Sequence, residues 1–122
     1  MRLTLLKSKL HSATVTGADL NYEGSIALGP DLRRAAGLLR HERVEIYNVN
    51  NGERFATYVI DGHRRGEVVL NGAAARLVQP GDKVIIAAYA EFEPAEARRH
   101  QPVVVLLDHT NRLRIKRGDS TP

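Results

Sequence analysis

Residues 43–60 read RVEIYNVNNGERFATYVI. Two alternating runs flank Asn50-Asn51-Gly52, residue types that accept a positive φ where a tight turn demands one. The stretch therefore predicts a β-hairpin, with strands over Arg43–Asn48 and Arg54–Ile60. Period-2 alternation sets Arg54 and Tyr58 on one strand face, roughly 13 Å apart along the axis, and Thr57 on the other.

Outward from this hairpin, short runs rich in β-branched residues recur between Gly, Asn and Pro. They predict further strands over Leu3–Lys7, Ser12–Thr16, Ser25–Leu28, Glu67–Leu70, Lys83–Ala90 and Val103–Leu107. Pro30 suits the first turn of a helix running to about Leu38, because its missing N–H has no partner to lose there. Pro94 does the same for Ala95–Arg99, and Ala73-Ala74-Ala75 after Gly72 predicts one more helical turn. Gln79-Pro80-Gly81-Asp82 reads as a turn into the most apolar strand. Many strands and few helices in so short a chain point to a small β-barrel. The barrel closes in this reading at about residue 110. From Asn111 to Pro122 the polar, charged composition predicts a flexible basic tail.

At 122 residues the chain is the size of one domain. Its apolar fraction of 43% and charged fraction of 26% are those of a globular protein rather than a disordered one. No apolar run approaches the ~20 residues of a membrane helix. The N-terminal MRLTLLKSKLH lacks the continuous apolar segment and small-residue cleavage site of a signal peptide, so a cytoplasmic protein is expected. Cysteine is absent, which excludes disulfides, thiolate metal sites and a cysteine nucleophile. The net charge of +4 could mark a nucleic-acid partner. Against that, Arg112, Arg114, Lys116 and Arg117 crowd one end, and aromatics at 5% are thin for stacking bases. No nucleic-acid or membrane partner is expected. His41, His63, His100 and His109 show no metal-ligand spacing, so they read as surface residues and no metal is expected.

The segment Asn21-Tyr22-Glu23-Gly24-Ser25 carries chemistry as well as a turn. A serine hydroxyl can attack the carbonyl before it and move the acyl group from nitrogen to oxygen. Glycine clears the Cβ obstruction and tolerates a strained backbone. Elimination from the resulting ester leaves a dehydroalanine, which hydrolyses to a pyruvoyl group and ammonia. Taken alone, the dipeptide is a very weak signal, since a Gly-Ser pair is overwhelmingly a polar turn before a strand.

Its company is more specific. Lys9-Leu10-His11, Tyr22-Glu23-Gly24-Ser25, residues 48–58 and Asn71-Gly72-Ala73-Ala74-Ala75 follow one another in order, then Gly81-Asp82 and Val84-Ile85-Ile86-Ala87. Together they resemble the pyruvoyl-dependent aspartate 1-decarboxylases, over about residues 1 to 108. The resemblance implies a double-psi β-barrel with a few short helices, assembled as a homotetramer with active sites between neighbouring subunits. It implies cleavage between Gly24 and Ser25 into a β chain, 1–24, and an α chain, 25–122, headed by a covalent pyruvoyl group. It also implies L-aspartate as substrate and β-alanine as product, for pantothenate synthesis. The residues name no maturation factor.

The chemistry agrees with so short a chain. Decarboxylating an α-amino acid needs an electron sink conjugated to the nitrogen, usually pyridoxal phosphate held by a much longer protein. A ketone carried on the chain needs no cofactor-binding domain. Arg54 offers a rigid fork for a carboxylate, of which aspartate has two. In the family the tyrosine matching Tyr58 protonates the carbanion, and the threonine matching Thr57 contacts substrate and serves processing. Lys9 resembles its carboxylate-attracting lysine, and His11 its active-site histidine. Asn71, Gly72, Ala73 and Ala74 form a loop whose backbone N–H groups could meet a carboxylate or an oxyanion. Two rival readings stay open here: a non-catalytic small barrel that binds nucleic acid or a protein, and a pyruvoyl enzyme for glutamate.

Overall fold

The structure is a computed structural model and describes residues 1–118. Its strands are β1 (Leu3–Thr14), β2 (Gly17–Asp19), β3 (Ser25–Leu28), β4 (Arg43–Asn48), β5 (Arg54–Asp61), β6 (Val68–Asn71), β7 (Lys83–Phe92), β8 (Val103–Leu107) and β9 (Leu113–Arg117). They hydrogen-bond in the order β2-β6-β3-β5-β4-β7-β1-β8-β9. This is the mainly β barrel that the strand spacing predicts. Among the described residues no helix is long and apolar enough to cross a membrane.

The hairpin forms as read. β4 and β5 pair antiparallel, with Tyr47 opposite Arg54 and Arg43 opposite Tyr58. Gly52, at φ 80°, donates its N–H to the Asn48 carbonyl at 2.8 Å. The Asn48 and Asn51 side chains each accept the amide two residues on, from Asn50 and Glu53, at 2.9 Å. These are the local Asx bonds for which turns select asparagine.

Alternation along the strands decides what is buried. Leu10 of β1, Ile26 and Leu28 of β3, Ile46 of β4, Leu70 of β6 and Ile86 of β7 are fully enclosed in one core. Burying each such side chain is worth about 1.5–3 kcal/mol. Three short helices close the ends. α1 (Pro30–Ala36) starts at Pro30 and stops two residues before the expected Leu38, because Gly37 takes a left-handed conformation at its C-cap. A 3-10 helix spans Gly72–Leu77, longer than the single turn expected. In α2 (Pro94–Arg99), Glu93 and Glu96 form a reciprocal capping box.

Two expectations need correction. The strands read as Leu3–Lys7 and Ser12–Thr16 are one strand, β1, up to Thr14. The alternation of buried Ser8 and Leu10 with half-buried Lys9 and His11 carries straight through. Register shifts between Leu6 and Ser8, and between Leu10 and Ala13, absorb the misfit, with Ser12 at φ 62°. The tail reading of 111–122 also fails in its first part, since residues 113–117 form β9 against β8. Asn111 fixes its approach. It is buried, its Nδ2 donates to the Thr14 and Gly66 carbonyls at 2.8 Å, and its Oδ1 accepts the Thr14 amide at 2.7 Å. Residues 119–122 lie outside the described residues.

Candidate active site

Ser25 opens β3 and is only 1% exposed. Directly across the antiparallel pair with β6 stands Asn71, 3% exposed. Register therefore aims the amide at the hydroxyl. Asn71 Nδ2 donates to Ser25 Oγ at 3.0 Å, and Ser25 Oγ donates to the Glu23 carbonyl at 3.0 Å. The hydroxyl is held on both sides, with its oxygen next to the Gly24–Ser25 peptide.

The 3-10 helix after Asn71 comes close to Gly24. Gly72 has φ 66°, and a Cβ built there would fall 2.7 Å from both Cα and N of Gly24. No side chain fits without moving backbone. Gly24 itself has open space where a Cβ would stand. Of the small residues of this loop, Ala73 is exposed and Ala74 is buried.

Ser25 also lines a pocket of about 350 Å³. Tyr58, 37% exposed, stands on its wall with Tyr22, Glu23, Ile60 and Asp61. So do Arg40, His41 and His63, so that basic side chains face Glu23 and Asp61 across it. Reading His41 and His63 as plain surface residues misses this placement. The His41 ring centroid lies 6.5 Å from that of Tyr58, and its amide donates to the Val59 carbonyl at 2.7 Å. His41 holds φ 75°, a strained value for a residue with a Cβ. No local pattern signals it, because the contact depends on where α1 hands the chain over to β4.

The remaining candidates sit elsewhere. Lys9 and His11 are half-buried on the outer face of β1. Burial, and secondly the Lys9 charge, lowers the His11 pKa below its ordinary value, and its buried Nδ1 has no hydrogen-bond partner. Arg54 is exposed and lies with its guanidinium 4.0 Å from the centre of the Tyr47 ring. The Tyr47 hydroxyl meets Glu45 at 3.0 Å and the Tyr89 hydroxyl at 2.9 Å. Burial first, then those two bonds, raises its pKa. Thr57 is half-buried on the opposite strand face from Arg54 and Tyr58, as alternation requires. Within one chain, then, Ser25, Tyr58, Asn71 and Gly72 gather at one place, while Lys9, His11 and Arg54 do not line the Ser25 pocket.

The site fits a prosthetic group made from the chain itself. A buried, doubly hydrogen-bonded hydroxyl follows a glycine, and a second glycine lies close to the N and Cα of the first. Among the described residues no three of His, Cys, Asp and Glu gather as metal ligands do.

Fold and site together define the class as a small β-barrel with a buried serine hydroxyl beside a polar pocket. A family model described as aspartate decarboxylase matches residues 1–114. The aspartate 1-decarboxylase of Bdellovibrio bacteriovorus is 57% identical over 119 residues, covering 98% of this chain and 95% of its own. That of Maricaulis maris is 59% identical over 114 residues, 93% of this chain and 94% of its own. That of Heliobacterium modesticaldum is 52% identical over 128 residues, 100% of this chain and 97% of its own. This chain belongs to the aspartate decarboxylase family.

Proposed function

We propose that this protein decarboxylates L-aspartate to β-alanine and CO2, supplying pantothenate and hence coenzyme A synthesis, after cutting its own backbone between Gly24 and Ser25. The observation that carries this reading is the buried Ser25 hydroxyl, held by Asn71 directly after a glycine whose N and Cα leave no room for a side chain at Gly72. Ser25 Oγ attacks the Gly24 carbonyl carbon, its proton passes to the Ser25 nitrogen, and the C–N bond breaks as the ester forms. Removal of the Ser25 α-proton expels the Gly24 carboxylate, and water then releases the nitrogen as ammonia. The products are a chain of residues 1–24 and a chain of 25–122 that begins with a pyruvoyl group. Asn71 aligns the nucleophile, and Gly72, having no side chain, lets the loop lie close against Gly24.

The pyruvoyl group supplies a carbonyl that draws off the electron pair of the breaking carbon–carboxylate bond. Tyr58, at the wall of the same pocket, holds the proton that the α-carbon takes up once CO2 has left. Lys9 and Arg54 grip the carboxylates, the latter as a fork. The lowered pKa of His11 keeps its imidazole neutral near pH 7, so it serves as hydrogen-bond partner rather than as a third cation. Thr57 and the loop of Asn71, Gly72, Ala73 and Ala74 complete the substrate contacts. Because Lys9, His11 and Arg54 lie away from the Ser25 pocket in one chain, a neighbouring copy brings them to it. A homotetramer with active sites between subunits satisfies that need.

Mass spectrometry of the mature protein, paired with an assay of β-alanine release, tests the proposal. Two chains divided after Gly24 are expected, the longer one lighter by one ammonia than a serine start requires. Ser25→Ala should stay intact and release no β-alanine. An intact chain with undiminished turnover would overturn the reading.

A further inference from the structure

A cavity of about 530 Å³ shares no lining residue with the Ser25 pocket. It lies between α1, the bulge of β1 at Lys7, and the strands β7, β8 and β9. Its apolar lining includes Ala36, Phe92 and Val103. Its charged lining is entirely basic among the described residues: Lys7, Arg34 and Lys116. Lys7 directs its ammonium to the Gly37 carbonyl at 2.9 Å and to the Glu42 carboxylate at 2.7 Å, so one positive charge is already balanced. Arg34 is exposed and makes no ion pair with any described residue.

A second observation is independent of charge. Ser8 lines the same cavity, is 1% exposed, and its Oγ is buried without a hydrogen-bond partner. A buried hydroxyl left unmatched costs roughly 1–3 kcal/mol, so a fold keeps few of them. The site thus combines an apolar wall, an uncommitted guanidinium, and, in its lining, a buried hydroxyl that has no partner.

We infer that this cavity binds a small organic carboxylate with an apolar body, at a site separate from that of decarboxylation. Arg34 pairs with the carboxylate, the Ser8 hydroxyl donates to it, and the apolar body lies against Phe92 and Val103. Inorganic phosphate would satisfy the cations but leave the apolar wall without a partner. A neutral ring would do the reverse. The volume falls within the range of small-molecule sites and admits a one-ring carboxylate. The inference stands on residues that the decarboxylation site does not use.

Benzoate, benzamide and inorganic phosphate are the probes, titrated calorimetrically into the mature protein, its Arg34→Ser variant and its Ser8→Ala variant. Benzoate should bind at least tenfold more tightly than either other probe. Arg34→Ser and Ser8→Ala should each weaken benzoate about tenfold, the effect of one charge-assisted hydrogen bond. Chain cleavage and aspartate turnover should stay as in the parent in both variants, and benzoate should not compete with aspartate. Equal benzoate affinity in the parent and Arg34→Ser overturns the inference, and so does competition with aspartate, which would put benzoate at the Ser25 site. Phosphate binding as tightly as benzoate removes the role of the apolar wall. No uptake at millimolar benzoate, as when a neighbouring copy seals the cavity, also overturns it. Arg34 lies on the helix surface, so its variant gives a result even if Ser8→Ala folds poorly.

Discussion

Gly72 stands against Gly24 so closely that a methyl group on it would reach within 2.7 Å of the Gly24 nitrogen and α-carbon. Two glycines far apart in sequence thus share one close approach, and the first of them supplies the carbonyl of the bond proposed to break. Their relationship ties self-cleavage to the fold of β6 and the 3-10 helix.

Gly72→Ala tests that tie. Alanine at φ 66° is strained by about 1–3 kcal/mol, and its methyl must displace the Gly24 backbone. The variant should lose stability by that order and cut itself at least tenfold more slowly. Time courses of intact chain on denaturing gels, with thermal unfolding alongside, measure both. A variant that cuts at the parental rate would show that the contact has no part in processing.

Asn71→Ala separates holding the hydroxyl from holding the fold. It removes the 3.0 Å bond to Ser25 Oγ and leaves the bond from Ser25 to the Glu23 carbonyl. The stability cost should be modest, about 0.5–1.5 kcal/mol. Cleavage should slow roughly a hundredfold, in the range found for losing one well-placed donor. If the loss of rate merely follows the loss of stability, Asn71 is a structural residue and not an aligning one.

Much of this arrangement is legible in the chain. The alternation from Arg43 to Ile60 and the Asn-Asn-Gly turn define the hairpin, and Gly24-Ser25 with Arg54, Thr57 and Tyr58 marks the chemistry. Pairings set by distant partners are harder to read. The 111–117 segment looks solvated because Leu113 and Ile115 alternate with Arg112, Arg114 and Lys116, yet β8 gives it an edge to pair with. His41 carries no local sign of the pocket, since its place depends on the turn between α1 and β4. The Gly72–Gly24 contact is invisible until β3 and β6 are set side by side.

The titration of His11 follows from its surroundings. Burial disfavours the imidazolium, and the Lys9 charge disfavours it further, so the native pKa lies below the ordinary value of 6.5. The unfolded chain therefore binds this proton at a higher pH than the native one. The stability this site contributes is present above pH 6.5 and is lost as pH falls toward the native pKa. Lys9→Met should raise the native value only part of the way, because burial, the larger cause, remains. Nuclear magnetic resonance titration of the imidazole protons reads both effects. A native His11 titrating at or above 6.5, or one indifferent to Lys9→Met, would contradict the assigned causes.

Asn111→Ala probes how the segment after β8 is anchored. The parent side chain makes three bonds, to the Thr14 amide, the Thr14 carbonyl and the Gly66 carbonyl, in a buried position with φ 61°. Alanine leaves those three backbone groups unmatched and tolerates the left-handed conformation less well than asparagine does. A loss of about 2–4 kcal/mol is expected, which in a chain of this length lowers Tm by several degrees or more. Hydrogen exchange should quicken at the β9 amides bonded to β8 and at Thr14, while the β4–β5 hairpin, which Asn111 does not touch, keeps its protection. Uniform loss of protection through the barrel would mean that Asn111 supports the whole core rather than the docking of β9.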